Sequence, residues 1–388
     1  MTRTIGRRGL IRAVLAGAAL STAAAPPDRP TPSGRPSPVG ARPATTRPLL
    51  IGTYTGAGGG QGIRTGTYDP ATGRISLTAT VVGIEHPSYL AVHPCGATAY
   101  AVSEREEGAV TAVALGADGV HRVLGSRPTG GAGPTHLSVH PGGRWLFSAN
   151  YNSGSVSVHP IRGDGSLGRR SDLVAHLSPP PGPGQEGPHA HQIITAPDGR
   201  HVLATDLGND TVYTYRLDTA HGTLAEVSRA TVRPGAGPRH LTFHPGGRFA
   251  YLACELDDTV VVCGYDPATG TLSPGAGQST GTGPDTSYPA QLLVTADGAF
   301  AYLANRGHNS LTRYAVEEDG AALRLLGTVP VGGDFPRQIA LTPDGALLLA
   351  ANQRSGTVTA FHVDRQDGGL RPAGAAVDVP GAACVLPL

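Results

Sequence analysis

A chain of 388 residues with 30 Lys and Arg against 29 Asp and Glu carries almost no net charge, which excludes a basic face broad enough to make nucleic acid its main partner. Its 56 Gly and 34 Pro, with few aromatics, point to many short strands joined by tight turns. Beyond the N-terminus no stretch stays apolar for about eighteen residues, so no membrane-spanning helix is expected.

Residues 1–25 read as an export signal. Arg7-Arg8 precedes Gly9-Leu10-Ile11-Arg12, a pattern resembling the twin-arginine motif, and Ala13 to Leu20 is a short apolar run. Ala23-Ala24-Ala25 is the expected cleavage region, and Pro26 disfavours a cut directly after Ala25. An ordinary Sec signal with a chance Arg pair is the alternative. Either implies an exported protein, extracellular or in the cell envelope, with the twin-arginine route favoured. Residues 26–47 are rich in Pro, Thr, Ser and Arg, lack large apolar groups, and read as a flexible linker.

From residue 48 to 388 one pattern of about fifty residues repeats. Gly133-Pro134-Thr135-His136-Leu137-Ser138-Val139-His140-Pro141-Gly142-Gly143-Arg144 recurs as Gly237-Pro238-Arg239-His240-Leu241-Thr242-Phe243-His244-Pro245-Gly246-Gly247-Arg248. Weaker copies start at Pro87, Pro188, Pro289 and Pro336. Each copy holds an alternating strand, a Gly turn and a second strand, such as Trp145 to Asn150, Phe249 to Glu255, Phe300 to Asn305 and Leu347 to Asn352. Third strands such as Ser155 to Val158 and Thr357 to Phe361 follow, then a less regular fourth. Four antiparallel strands make one propeller blade.

Six copies run from about residue 86 to 380, and the seventh is split. Ala383 to Leu386 supplies its first strand and Leu49 to Tyr54 its second; the other two precede Val82. The fold class is therefore all-β: a seven-bladed β-propeller closed by pairing of the N- and C-terminal strands, with no open edge where the ring ends meet. Two stacked sandwiches are the alternative, which the even spacing disfavours. Nothing in the pattern fixes an oligomeric state.

In such a ring the innermost strands start on one face and turn back on the other. Residues just after each Gly-Pro, and those ending each second strand, therefore gather on one rim near the axis. His86, His136, His189, His191, His240, Arg239, Arg306 and Arg337 fall there, with second-strand endings Asn150, Tyr151, Asp206, Glu255, Asn305 and Gln353. Packing does not require this set; an anionic or carbonyl-bearing ligand does. Arg offers a charged planar fork, and His titrates near neutrality and can activate water. Salt links bracing adjacent blades are the structural alternative for any one of these residues. His93, His140 and His244 recur in the turns of the opposite face and read as turn structure, while His121, His159, His176, His201 and His221 read as surface residues. The Pro-rich loop 178–188 enters the same rim, as a plain solvent loop or a cover for the pocket. Cys254 and Cys263 flank a turn and read either as a hairpin disulfide or as two small buried residues; Cys95 and Cys384 lack metal-ligand spacing.

The segment from Gly235 to Pro245, with Tyr251 and Glu255-Leu256, resembles the signature of the bacterial propeller-type 6-phosphogluconolactonases, which share a family with fungal carboxymuconate cyclases. Ser148 to Gly154, Pro188 to Gln192, Asp206 to Asp210, Ala304-Asn305-Arg306 and Pro336-Arg337 extend the likeness from about residue 48 to the C-terminus. The resemblance implies lactone chemistry on a small-molecule substrate with neither metal nor other cofactor. It implies a catalytic set of His191, Arg239, Glu255 and Arg306, with His136, Tyr151, His189, His240 and Arg337 binding substrate. His191 or His240 would activate water, the arginines would hold the oxyanion or an anionic group, and Glu255 would orient the His or carry a proton. No Gly-x-Ser-x-Gly motif suggests a covalent acyl-enzyme. The export signal departs from the cytosolic members, whose phosphorylated substrate is scarce outside the cell. Two other readings stand beside this one. One is a calcium-dependent lactonase using Glu255, Asp206 and Asn305, which the rim arginines disfavour. The other is a non-catalytic, YVTN-type surface or ligand-binding propeller, suggested by Tyr302 to Asn305 and Leu349 to Asn352.

Overall fold

In a computed structural model of the chain, residues 46–388 are described, apart from 118, 178–181, 183–184 and 284–285. The export signal, the linker up to residue 45 and much of the loop 178–188 lie outside the described residues. Arg47, the last linker residue, already opens the strand Arg47–Thr53.

Seven antiparallel sheets form the ring. Blade 1 joins the chain ends: Ala382–Pro387 pairs with Arg47–Thr53, followed by Ile63–Tyr68 and Ile75–Val81. Leu49 faces Pro387, Leu50 faces Leu386 and Ile51 faces Val385, so the seam is a regular ladder. The innermost strands of blades 2 to 7 are Leu90–Val92, Pro134–Val139, Ala190–Thr195, Pro238–Phe243, Tyr288–Val294 and Pro336–Leu341. The predicted split blade and ring closure are both present.

The core does not sit at the centre of the ring. Each pair of neighbouring blades shares its own apolar cluster, as where Trp145 and Phe147 of blade 3 meet Ile193, Tyr213 and Tyr215 of blade 4. Strands buried on both faces explain the runs of apolar residues in the second strands, and stacking sheets face to face drives their burial. Among the described residues the axis itself holds no such cluster and is lined by polar and apolar side chains together.

The recurring turn histidines have a structural task. His93 Nε2 donates to the Gly143 carbonyl at 2.9 Å, and His140 Nε2 to the Gly199 carbonyl at 3.0 Å, so each reaches the turn of the next blade. Their ring Nδ1 atoms accept backbone N–H bonds of their own turns, from Cys95 and Gly142.

One expectation is corrected, and of the two readings of Cys254 and Cys263 the structure has the two small buried residues. His159, His176 and His201 are buried rather than on the surface, because each has a partner that satisfies its polar ring: the Pro128 carbonyl, Asp206 and Asp198. Cys254 and Cys263 are free thiols and cannot bond to each other. Cys254 pairs with Thr259 while Cys263 lies opposite Ala250, so the hairpin centre falls nearer Cys254 and the two thiols occupy different rungs. Both thiols are buried. Among the described residues no helix is long and apolar enough to cross a membrane.

Candidate active site

The site is built from one irregularity repeated around the ring. Where an innermost strand begins, its pairing skips a residue: Pro134 faces Asn150 but His136 faces Ala149, and the same shift occurs between Ala190 and Gln192, Pro238 and His240, and Pro336 and Gln338. The skipped residues are Thr135, His191, Arg239 and Arg337. A β-bulge re-aims the side chain it carries. Three of the residues singled out in the sequence are therefore set by the bulge itself.

One residue deeper lies a ring of equivalent positions occupied by Tyr89, His136, Gln192, His240, Gln291, Gln338 and Cys384. Below it a channel of about 570 Å³ opens toward the turn face, lined by Tyr89, His136, Gln192 and Gln291 and then by apolar residues such as Val139 and Phe243.

A second repeated position is the residue that follows, or ends, each second strand. Around the ring it is Tyr54, Glu104, Tyr151, Leu207, Glu255, Arg306 and Gln353. Glu255 lies 2.9 Å from Arg239 Nε and 2.5 Å from Arg306 NH2 through the same Oε2. The Arg239 Nε contact is out of line for a hydrogen bond, so the pair is held by charge. Arg239 and Arg306 are anchored on blade 6: Arg239 NH1 donates to the Ala290 carbonyl at 2.7 Å, and Arg306 donates to the Tyr288 and Pro289 carbonyls. The Arg306 guanidinium also sits 5.3 Å from the Phe335 ring centre.

The histidines stand beside this cluster. The ring centres of His191 and His240 are 5.2 Å apart, and those of His136 and His240 are 5.5 Å apart. Tyr151 contacts His191 edge-on at 5.7 Å and stacks on His189 at 4.4 Å. His189 donates from Nδ1 to the Tyr151 carbonyl, so it braces Tyr151. His191 Nδ1 is buried and has no hydrogen-bond partner. No hydrogen bond at Nδ1 therefore fixes which ring nitrogen carries the proton.

Electrostatics follow from crowding. Burial, reinforced by Arg239, pulls the His136 pKa down to about 3. Burial and Arg239 also hold His191 and His240 well below the usual imidazole range, so all three are neutral at pH 7. Burial would raise the Glu255 carboxyl, but Arg306 and Arg239 outweigh it and hold it below the usual range. Burial and Arg306 oppose the charge on Arg239.

The turn after the second strand of blade 4 holds the two bulges in place. Asp206 Oδ1 accepts the His189 and Gly208 N–H groups, at the start of the strand that carries His191. Its Oδ2 takes a 2.5 Å bond from His176, and both side chains are fully buried. Asp210 accepts the Gly235 and Gly237 N–H groups just before Arg239, and Thr205 Oγ1 donates to the Arg239 carbonyl.

Of the nine residues predicted for the site, Arg239, Glu255 and Arg306 are joined directly. His191, His240, His136 and Tyr151 surround them, and His189 supports Tyr151 from outside. Arg337 lies beside Glu104, with NH2 3.5 Å from Oε1, and 5.2 Å from the Tyr54 ring centre, and its charge also acts on Glu255 and Arg306. Glu104 and Tyr54 were not singled out in the sequence; both occupy the position of Tyr151 and Glu255, which is the signal that would have found them. Of the oxygen ligands considered for calcium, Glu255 is held by two arginines and Asp206 by His176 and two backbone N–H groups. Among the described residues no three His, Cys, Asp or Glu side chains gather as a metal site.

Residues 48–387 match the family described as lactonase, 7-bladed beta-propeller. The chain is 33% identical over 291 residues to the 6-phosphogluconolactonase of Bacillus subtilis, an overlap of 74% of this chain and 82% of that relative. It superimposes on the periplasmic gluconolactonase of Pseudomonas aeruginosa with a TM-score of 0.83 at 31% identity, covering 89% of this chain and 99% of the other. A protein from Lactobacillus plantarum gives a TM-score of 0.83 at 32% identity, covering 89% and 100%.

Proposed function

The chain belongs to the seven-bladed β-propeller lactonase family, and on that premise we propose that it hydrolyses a small anionic or sugar-derived lactone at this rim, without a metal ion. The observation that carries the reading is the Arg239–Glu255–Arg306 cluster beside a neutral His191 whose Nδ1 is buried and unpartnered.

His191, with His240 as the alternative, takes a proton from water as the water oxygen bonds to the lactone carbonyl carbon. Arg239 and Arg306 stabilise the oxyanion that forms. Its negative charge offsets the arginines that depress His191, so the ring becomes a better base as the transition state develops. Collapse breaks the ring C–O bond, and the proton passes to the departing alkoxide from His191 or by way of Glu255. The product is the open hydroxy acid. Tyr151, His136, His189, His240 and Arg337 position the substrate around this centre.

Two variants test the assignment, His191→Ala and Arg239→Ala, assayed against glucono-δ-lactone, 6-phosphoglucono-δ-lactone and other sugar lactones. Both are expected to lose turnover; unchanged turnover in both overturns the site.

The proposal extends to location. The Arg7-Arg8 signal supports export by the twin-arginine route, to the envelope or the medium, and the P. aeruginosa relative is described as periplasmic. A fusion of residues 1–47 to a reporter active only after folded export is expected to be exported, and replacing both arginines by lysine to stop it. Export that survives the double replacement sinks the twin-arginine route.

A further inference from the structure

The mouth carries a second charged corner, where Arg337 meets two residues, Glu104 and Tyr54, to which the proposed chemistry gives no part. Glu104 stands at its centre. Its Oε2 accepts the Tyr54 hydroxyl at 2.7 Å and a short bond from Ser88 Oγ. Its Oε1 lies 3.5 Å from Arg337 NH2, too long for a good hydrogen bond. The Arg337 and Glu104 side chains keep 17% and 18% of their exposure, so neither is sealed beneath the rim. The Tyr54 ring centre lies 5.2 Å from the guanidinium, within cation–π reach.

The backbone around this corner is held under strain. Gly133 and Gly237, which precede the inner-strand prolines of blades 3 and 5, take positive φ of 60° and 66°. At the same place blades 2 and 7 carry His86 and Phe335, with φ of 45° and 65°. A side chain there costs about 1–2 kcal/mol. The His86 carbonyl accepts the N–H groups of both Ser88 and Glu104, which locks the two residues together. Phe335 directly precedes Pro336-Arg337 and its ring lies against Arg306. Strain of this kind persists where the surroundings over-determine it, and it clusters at ligand sites.

We infer that Glu104, Arg337 and Tyr54 form the subsite for the hydroxyl-bearing tail of an uncharged sugar lactone, and that Glu104 selects against a phosphate on that tail. The inference rests on the lactonase reading and narrows its substrate. A hydroxyl is both donor and acceptor: it can give its proton to Glu104 Oε1 and accept from Arg337. A phosphate is acceptor only at neutral pH and would bring a second anion against Glu104. The same carboxylate already offsets the charge of Arg337, the group a phosphate would otherwise seek.

The experiment compares glucono-δ-lactone with 6-phosphoglucono-δ-lactone, which differ in that tail group, in the wild type, Glu104→Gln and Tyr54→Phe. Calorimetry of gluconate and 6-phosphogluconate runs in parallel and needs no turnover. The wild type should favour the unphosphorylated lactone in kcat/KM, mainly through KM. Glu104→Gln should move the ratio toward the phosphorylated compound by about tenfold or more, and Tyr54→Phe by less, with matching shifts in product binding. A wild type that prefers the phosphorylated lactone, or a ratio unmoved by Glu104→Gln in a folded variant, overturns the subsite. If no lactone is turned over but gluconate binds and Glu104→Gln shifts the preference, the subsite stands and the lactonase reading falls. If neither turnover nor product binding is seen, both fall.

Discussion

The two faces of the ring use the same repeat in opposite ways. On the turn face the blades repeat their residues: His93 and His140 each reach the next turn through the same ring nitrogen. On the rim face they repeat positions but not residues. The bulge carries Thr135, His191, Arg239 or Arg337 in four blades and Ala290 or Ala383 in two others, and the residue at the end of the second strand is Tyr54, Glu104, Tyr151, Leu207, Glu255, Arg306 or Gln353. A residue that recurs at one position serves the fold, because every blade has the same backbone need. Different residues at one position serve something outside the repeat, because packing alone gives no reason to vary charge around a ring.

The largest difference between the faces is expected at Arg239. Arg239→Ala should lower kcat/KM for lactone hydrolysis by about a thousandfold, the scale of losing an oxyanion donor. A loss no larger than that of a turn-face variant would erase the distinction between faces. Next comes Asp210, which touches no proposed reacting group but holds two N–H groups ahead of Arg239. Asp210→Ala should lower kcat/KM by about tenfold to a hundredfold through displacement of Arg239. In an Arg239→Ala background the same change should cost little further activity, which a double-mutant cycle reads directly.

A third measurement uses pH. His136, His191 and His240 have folded pKa values below the ordinary 6.5, so between 6.5 and those values the unfolded chain binds protons that the folded chain does not. Stability is therefore full above about pH 6.5 and falls as pH drops toward about 3, the value for His136. His240→Gln places at that position the residue already found at Gln192, Gln291 and Gln338. It should flatten the fall in this window by about 1.4 kcal/mol per pH unit, read as a smaller drop in unfolding free energy from pH 7 to pH 5. The smallest effect is expected on the other face: His140→Ala removes the bond to the Gly199 carbonyl and the one accepted from the Gly142 N–H, costs about 1–2 kcal/mol, and leaves kcat/KM unchanged.

Much of this asymmetry was legible in the chain. The copies at Gly133 and Gly237 set the blade length, and the stretch Leu49 to Tyr54, lacking a strand before it, required a partner at the C-terminus. Arg239, Glu255 and Arg306 could be assigned to one mouth because topology carries strand starts and strand ends to the same face. Asp206 was also placed on that face, but its task as a buried partner of His176 and the His189 backbone was hidden. Glu104 and Tyr54 escaped notice because their blades are weak or split copies, so their equivalence to Glu255 shows only once the second strands are aligned in space. His176 and His201 were misjudged because burial of an imidazole depends on a partner far along the chain or across a turn, and spacing carries no record of it.

By itself the sequence determined the strand periodicity, the seven-fold repeat, the ring closure and the rim on which the unlike residues fall. These follow from local alternation and from counting, which are properties of neighbours in the chain. Only the tertiary structure decided which unlike residues meet. The bulges that turn His191, Arg239 and Arg337 out of the ladder, the shared Glu255 oxygen, and the separate corner at Glu104 depend on register shifts and on contacts between blades. Those are fixed when seven sheets pack against one another, and no single repeat contains them.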